Sequence, residues 1–176
     1  ATPFEIWLNE AVTVHVQRER EEVIFGHDFM RLSEVIYARR PGSGPLAMDS
    51  SPASMAIEPA GFNTTMELVS AMTYSKAPEF TRMVQSFIGK ENFVNALFKY
   101  HNKFAFSNAT SKDWVEAMAE FEPQGVDLRR MADGWLKRTG YPTLIVESWE
   151  HMASEKKVVI KVRQTNFEKK TDDNKP

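Results

Sequence analysis

The chain contains no cysteine among its 176 residues. This absence excludes disulfide bonds, zinc sites built on cysteine thiolates and catalysis by a thiol nucleophile. It also favours a reducing compartment, and we therefore expect a cytoplasmic protein.

Long apolar runs and a large excess of one charge are absent as well. No apolar run approaches the ~20 residues that a helix needs to cross a bilayer, so the sequence predicts no membrane segment. The net charge is only −2 with interspersed signs, which argues against a nucleic-acid partner, and the mixed charges of residues 18–22 predict a solvated helix face. With 42% hydrophobic residues, including 12 Phe and 4 Trp, the chain has the composition of a globular protein with a substantial core.

Apolar residues recur with helical periodicity up to residue 139. Asp28 is a candidate N-cap for a helix that runs to about Arg39. Residues 41–63 hold four of the nine prolines and are predicted to form one long connection. The next apolar stripe stops at Gly89, a residue type that commonly ends helices, and Pro78 suits the first turn of that helix.

The end of the helical region is marked by two patterns. Thr110 and Asp113 have the spacing of a capping box at the start of a helix. Beyond Pro142, residues 143–149 and 157–164 alternate with the period of two that is typical of strands, which predicts one solvated and one apolar face. Two strands alone are marginally stable in water, so we expect them to pack on the helices or on another chain.

Glu10 lies within an apolar segment, Trp7-Leu8-Asn9-Glu10-Ala11. If residues 4–18 are helical, apolar side chains occupy every face, which predicts a helix that is buried all round. A buried carboxylate must be paired, hydrogen-bonded or bound to a metal. The residues alone leave three interpretations open: a glutamate at a helix start, one that is ion-paired with an arginine, and a metal ligand.

Two motifs in this chain resemble those of a known enzyme family. W-L-N-E-A, at residues 7–11, is similar to the W-L-N-E-G signature of the gluzincin zinc aminopeptidases, the family of aminopeptidase N and puromycin-sensitive aminopeptidase. M-T-Y-S-K-A, at residues 72–77, is similar to the S-Y-E-K-G or S-Y-S-K-G of the same family. Weaker matches follow in the expected order at residues 87–93, 108–114 and 140–142, and order and spacing together are more specific than any single match.

The resemblance implies roles for two residues. Glu10 would be the third zinc ligand of the parent protein, and Tyr74 would donate a hydrogen bond to the oxyanion of the tetrahedral intermediate. In the family an H-E-x-x-H helix, about eighteen residues before the zinc glutamate, supplies two histidines and the general base. That spacing reaches back beyond Ala1, and none of the four histidines here precedes a glutamate, so we expect this motif and the amine-binding G-x-M-E-N stretch to lie upstream.

A fold also follows from the resemblance. Residues 1–140 would form the helical C-terminal lobe of a thermolysin-like metallopeptidase catalytic domain. Residues 141–167 would form the first strands of the following β-sandwich, and the polar residues 168–176 a disordered tail. The expected fold class is therefore mainly α, a helical lobe followed by a short β-hairpin.

The function that the resemblance implies is hydrolysis of N-terminal residues from peptides by a zinc-dependent aminopeptidase. Its partners would be peptides with a free N-terminus and the upstream and downstream domains of the same chain. Ala11 and Ala77 stand where the family has glycine, and two alternatives stay open: a zinc-free aminopeptidase-like scaffold, and a helical protein-interaction module. An intact H-E-x-x-H in the gene upstream of Ala1 would favour the enzyme, and a broken motif would favour the scaffold.

We expect the chain alone to hold no zinc cofactor and to be inactive, because Glu10 is one carboxylate without its two histidines. Calorimetric titration of the 176-residue chain with zinc should show binding no tighter than that of a generic surface site. Stoichiometric binding at sub-micromolar concentration would contradict this prediction and would indicate that His15 or His27 is recruited as a ligand.

Overall fold

The computed structural model describes residues 3–166, so the predicted tail at residues 168–176 lies outside the described part of the chain. Its α-helices are α1 (Ile6–Phe25), α2 (His27–Ala38), α3 (Pro45–Asp49), α4 (Ala77–Ile88), α5 (Lys90–Lys103), α6 (Ser111–Ala119) and α7 (Leu128–Leu136). A five-residue π-helix, Met72–Lys76, leads directly into α4. Strands β1 (Pro142–Met152) and β2 (Lys157–Asn166) pair in an antiparallel hairpin, and the expected class, mainly α with a short β-hairpin, is confirmed.

Local signals placed several helix boundaries correctly. Gly89, at a φ of 84°, ends α4, and Pro78 lies in its first turn. At the start of α6, Thr110 accepts a hydrogen bond from the backbone N–H of Asp113, and the Asp113 carboxylate accepts one from the backbone N–H of Thr110. These boundaries were predictable because caps are made by residues within one turn of each other.

Two boundary predictions are wrong. The N-cap of α2 is Gly26 and not Asp28, because Gly26 adopts a φ of 93° and joins α1 to α2 as a single-residue corner. The connection over residues 41–63 is interrupted by α3, which begins with Pro45 at a position where its missing N–H costs nothing. Gly44 precedes it where an added Cβ would lie 2.7 Å from the carbonyl oxygen of Ala38, so this close approach needs glycine.

The first helix is longer than predicted and is not buried all round. Its buried residues are Trp7, Leu8, Ala11 and His15, whereas Val16 is 49% exposed. The prediction failed because the sequence pattern shows where apolar side chains lie around the helix, but not which faces other helices pack against. The main neighbours of α1 are α2, α4 and the π-helix, and they leave Val16 and Val23 exposed.

The core is built on aromatic rings that meet edge to face. Trp7 from α1 contacts Phe80 of α4 at a centroid distance of 6.0 Å and Trp114 of α6 at 5.7 Å. Phe93 of α5 lies 6.4 Å from Trp114. All four rings are buried, so four helices share one aromatic cluster in the arrangement that ring quadrupoles favour.

The indole of Trp7 also holds the long connection in place. Its Nε1 donates to the Glu58 carboxylate at 2.7 Å and to the Ser111 hydroxyl at 2.9 Å, and that hydroxyl bonds the same carboxylate oxygen. The backbone N–H of Glu58 donates to the carbonyl of Leu136 at 2.8 Å. The connection between α3 and the π-helix is thereby attached to α1, α6 and α7.

The β-hairpin differs from its prediction in its burial. A bulge between Val146 and Ser148 interrupts the register, and apolar side chains are exposed along both strands, including Trp149 and Ile160. The described helices leave these apolar side chains exposed, so the helices are not the expected partner that covers them. Packing on another chain stays a prediction. No helix among residues 3–166 is long and apolar enough to cross a membrane.

His15 is a core histidine with an unusual environment. It is 3% exposed, its ring packs edge-on against Phe93 at 5.5 Å, and its Nε2 has no hydrogen-bond partner among the described residues. Burial lowers the pKa of His15 below its ordinary value of 6.5, although the charge of Glu19 acts in the opposite direction.

We expect the fold to lose stability as the pH falls below about 6.5, because the unfolded chain then binds a proton at His15 that the folded chain does not bind until its lower pKa is reached. Urea unfolding at about pH 7.5 and about pH 5.5 should show a smaller loss for His15→Gln than for the wild type. The difference should reach up to ~1.4 kcal/mol per pH unit. His101→Gln, at an exposed position of α5, is the control and should keep the wild-type pH dependence. Equal pH dependence of His15→Gln and wild type would contradict the prediction.

Candidate active site

Glu10 and Tyr74, the two residues singled out by sequence, lie next to each other. Glu10 is half-buried on α1, and Tyr74 is 37% exposed on the π-helix. Partial desolvation, the negative charge of Glu10 and a side-chain hydrogen bond with Glu10 together raise the pKa of Tyr74. The phenol is therefore a neutral hydrogen-bond donor over the whole physiological pH range, while the chemical roles of both residues stay predictions.

The segment that carries Tyr74 is wound more widely than an α-helix. The backbone N–H of Ala77 donates to the carbonyl of Met72, five residues earlier, and the Thr73 hydroxyl donates to the carbonyl of Leu68 at 2.5 Å. Single π turns of this kind are rare and are found frequently at functional sites. The sequence predicted Pro78 in the first turn of a helix but no wider turn before it.

Lys76, two residues after Tyr74, makes a buried ion pair with Asp49 of α3. Its Nζ lies 2.9 Å from Asp49 Oδ2, and the two side chains are 8% and 3% exposed. The same Nζ donates to the carbonyls of Arg138 and Gly140, each at 2.9 Å, and Asp49 Oδ1 accepts from the backbone N–H of Gly140 at 2.9 Å. We call this arrangement of Lys76, Asp49 and the two carbonyls the lysine clamp. It joins the π-helix to the connection between α7 and β1.

A second charged cluster lies beside the π-helix. Arg18 of α1 bonds Glu34 at 2.9 Å and lies 3.3 Å from Glu79, and Arg31 of α2 bonds Glu79 at 2.7 Å. Burial acts to raise the pKa of Glu79, but the hydrogen bond and charge of Arg31 outweigh it and hold that pKa below its ordinary value. Arg18 Nη2 also lies 3.5 Å from the carbonyl oxygen of Tyr74, so this cluster touches the same segment.

The solvated face predicted for residues 18–22 is therefore wrong at its first two positions. Arg18 is only 20% exposed within the cluster, and Glu19 is bonded to Lys90 at 2.8 Å and to Gln85 at 3.1 Å. The prediction failed because α2 and α4 pack against this part of α1 and supply the acidic partners of Arg18, while Glu19 meets Gln85 of α4 and Lys90 at the start of α5.

Glu10 fits one position of a zinc site. A half-exposed carboxylate is a normal zinc ligand, but a complete protein site needs at least three ligands. Among residues 3–166, no group of three or more His, Cys, Asp or Glu side chains is arranged to hold a metal ion.

The model of the peptidase family M1 domain matches residues 4–135. The chain belongs to this family. The resemblance to the gluzincin aminopeptidases that rested on Glu10 and Tyr74 is thus confirmed.

Individual relatives of this M1 chain carry aminopeptidase names. It is 32% identical over 80 residues to aminopeptidase 2, mitochondrial, of Saccharomyces cerevisiae, covering 46% of this chain and 8% of that protein. It is 30% identical over 142 residues to aminopeptidase M1-B of Oryza sativa subsp. japonica, covering 79% and 15%. Leucyl aminopeptidase of Saccharolobus solfataricus is 25% identical over 148 residues, covering 81% and 18%. The chain therefore spans less than a fifth of the length of these relatives.

A solved structure shows the same fold. The crystal structure of Legionella pneumophila aminopeptidase A in complex with aspartic acid superimposes with a TM-score of 0.72 at 25% sequence identity. The match covers 93% of this M1 chain and 17% of that chain. The helices and the hairpin thus have the arrangement found within an aminopeptidase.

Sequence reasoning missed Asp49 and Arg18. Asp49 lies in the connection predicted to be irregular, and no motif marks it as the partner of Lys76. Arg18 lies in a run of mixed charges, and the sequence pattern there does not distinguish a buried arginine from a solvated one. The one available signal was Lys76 itself, since a lysine within an apolar helix start needs acceptors if it is buried.

Lys76→Met should lower the free energy of unfolding by about 3–5 kcal/mol, because it leaves the Asp49 carboxylate buried without a cation. The double variant Lys76→Met/Asp49→Leu should regain part of this loss, because the apolar pair carries no charge to desolvate. Lys99→Met, which removes an exposed ion pair with Glu120, is the control and should cost less than about 1 kcal/mol. Denaturant unfolding followed by circular dichroism measures all three, and similar losses for Lys76→Met and Lys99→Met would refute a stabilising role for the clamp.

Proposed function

We propose that this chain supplies the third zinc ligand, Glu10, and the oxyanion donor, Tyr74, to a zinc-dependent aminopeptidase that removes N-terminal residues from peptides. The observation that carries the proposal is that α1, which holds Glu10, packs against the π-helix, which holds Tyr74, so that the Glu10 carboxylate acts on the phenol although the two motifs are far apart in sequence. Membership of peptidase family M1 and the aminopeptidase names of the relatives support the reaction class.

The proposed role of Tyr74 needs a neutral phenol that can change its acceptor. The raised pKa keeps the hydroxyl protonated, and the nearby Glu10 carboxylate is an acceptor to which it can donate. A carboxylate that is engaged by a cation is a weaker acceptor, so ligation of Glu10 would release the Tyr74 hydroxyl to donate to the oxyanion of the substrate. Zinc, when bound, would polarise the scissile carbonyl and lower the pKa of a water molecule.

The remaining partners and domains follow from the same proposal. Residues 1–140 belong to the helical lobe of the catalytic domain, and residues 141–167 begin a following β domain. The exposed apolar side chains on both strands of the hairpin support this division, because two strands with such faces are marginal unless a larger sheet continues them. The H-E-x-x-H motif is supplied from upstream, so that the chain alone is inactive, and the absence of cysteine supports a cytoplasmic location.

In the longer protein that contains this chain, Tyr74→Phe should lower kcat and kcat/KM together by ~10²- to 10³-fold, because an oxyanion donor acts in the transition state and not in the ground state. KM and the zinc content should change little. Glu10→Gln should lose zinc as well as rate, because it removes a charged ligand. Steady-state kinetics on a peptide substrate and elemental analysis of the purified protein measure both effects.

Tyr100→Phe, which removes a hydroxyl from the half-buried tyrosine of α5, is the control and should leave kcat and zinc content unchanged. A kcat of Tyr74→Phe within about twofold of wild type is too small an effect for a lost oxyanion donor. That result would leave Tyr74 with a structural role only.

A further inference from the structure

We infer that the lysine clamp is a positioning device for Tyr74: it sets the rotation of the π-helix and thereby holds the Tyr74 hydroxyl against Glu10. Lys76 and Asp49 are positioning residues and not catalytic residues, since they act through Tyr74. The catalytic consequence of this inference rests on the proposed function, but the positioning itself does not.

All three N–H donors of the Lys76 ammonium group have acceptors within the protein. An ammonium group has three N–H donors, and the three acceptors here are Asp49 Oδ2 and the carbonyls of Arg138 and Gly140, all at 2.9 Å. The ring of Trp135 lies 5.8 Å from Nζ and covers it on another side. With its donors satisfied and its side chain buried, Lys76 has nothing left to offer a substrate or a cofactor.

The attachments of the π-helix are unequal on its two sides. Its inner side is held by the clamp at Lys76 and by the hydrogen bond from Thr73 to the carbonyl of Leu68. On its outer side, the side chain that reaches the π-helix is Arg18, whose Nη2 lies 3.5 Å from the carbonyl oxygen of Tyr74, at the limit of a hydrogen bond. Because Tyr74 and Lys76 are two positions apart in one rigid turn, a rotation that moved Lys76 away from its acceptors would also turn the phenol away from Glu10.

The clamp also links the position of Tyr74 to a distant part of the chain. The carbonyls of Arg138 and Gly140 belong to the connection between α7 and β1, and Gly140 adopts a φ of 77°, which favours glycine. The backbone N–H of Gly140 donates to Asp49, both to Oδ1 and to the main-chain carbonyl oxygen. The orientation of Tyr74 is thus tied to the point where the helices give way to the hairpin.

The test uses the chain labelled with ¹³C at Cζ of its four tyrosines. Near neutral pH, Tyr74→Phe identifies the Tyr74 resonance, and Glu10→Gln measures how strongly that resonance responds to Glu10. We expect the response to fall by at least about half in Asp49→Asn, which removes the charge but keeps an acceptor for Gly140, and in Lys76→Met/Asp49→Leu, which replaces the charged pair by an apolar pair. Val115→Ala, which opens a cavity in α6, is the control for general loss of stability and should keep the full response.

The outcomes separate the inference from the proposed function. If the Tyr74 resonance in the Asp49→Asn background still responds fully to Glu10→Gln, the positioning role is overturned, whatever the activity. An equal loss of this response in the Val115→Ala background also overturns it. In the longer protein, Asp49→Asn should lower kcat ~10- to 100-fold with KM and zinc content unchanged, because a misplaced donor loses transition-state contacts. A lost response with unchanged kcat supports the clamp as a positioning device and counts against the proposed role of Tyr74.

Discussion

A buried ammonium group must find acceptors for its hydrogens, and this constraint on Lys76 organises the part of the structure that carries Tyr74. The acceptors come from α3 and from the connection after α7, which are separated from Lys76 and from each other by long stretches of sequence. The lysine clamp attaches both segments to the π-helix. A buried Lys76 ammonium group without partners would cost free energy, and this cost favours ordering the backbone of both segments around it.

The predictable part of the fold was the part determined within a single turn of helix. Thr110 and Asp113 satisfy each other's backbone donors, and Gly89 can adopt the conformation that ends α4 without strain from a Cβ. The burial of α1 was not predictable in the same way. Val16 and Ala11 are both apolar, and only the positions of the surrounding helices decide that one is exposed and the other is buried.

The candidate site shows the same division between local and tertiary information. Glu10 and Tyr74 could be singled out because each lies in a short motif whose resemblance to a family does not require the fold to be known. Asp49 could not, because its importance depends on Lys76 meeting it across the interior. Arg18 was hidden for a related reason: a mixed run of charges reveals that pairs can form, but not which partners on α2 and α4 will form them.

The π turn places a limit on how the chain can vary in length. Residues 72–76 must direct Tyr74 toward Glu10 on one side and Lys76 toward Asp49 on the other. Deleting one residue from this segment would convert the wide turn into an ordinary α turn and rotate the preceding residues by roughly 100° about the axis of α4. Only one of the two side chains could then meet its partner, so this segment should tolerate substitutions far better than insertions or deletions.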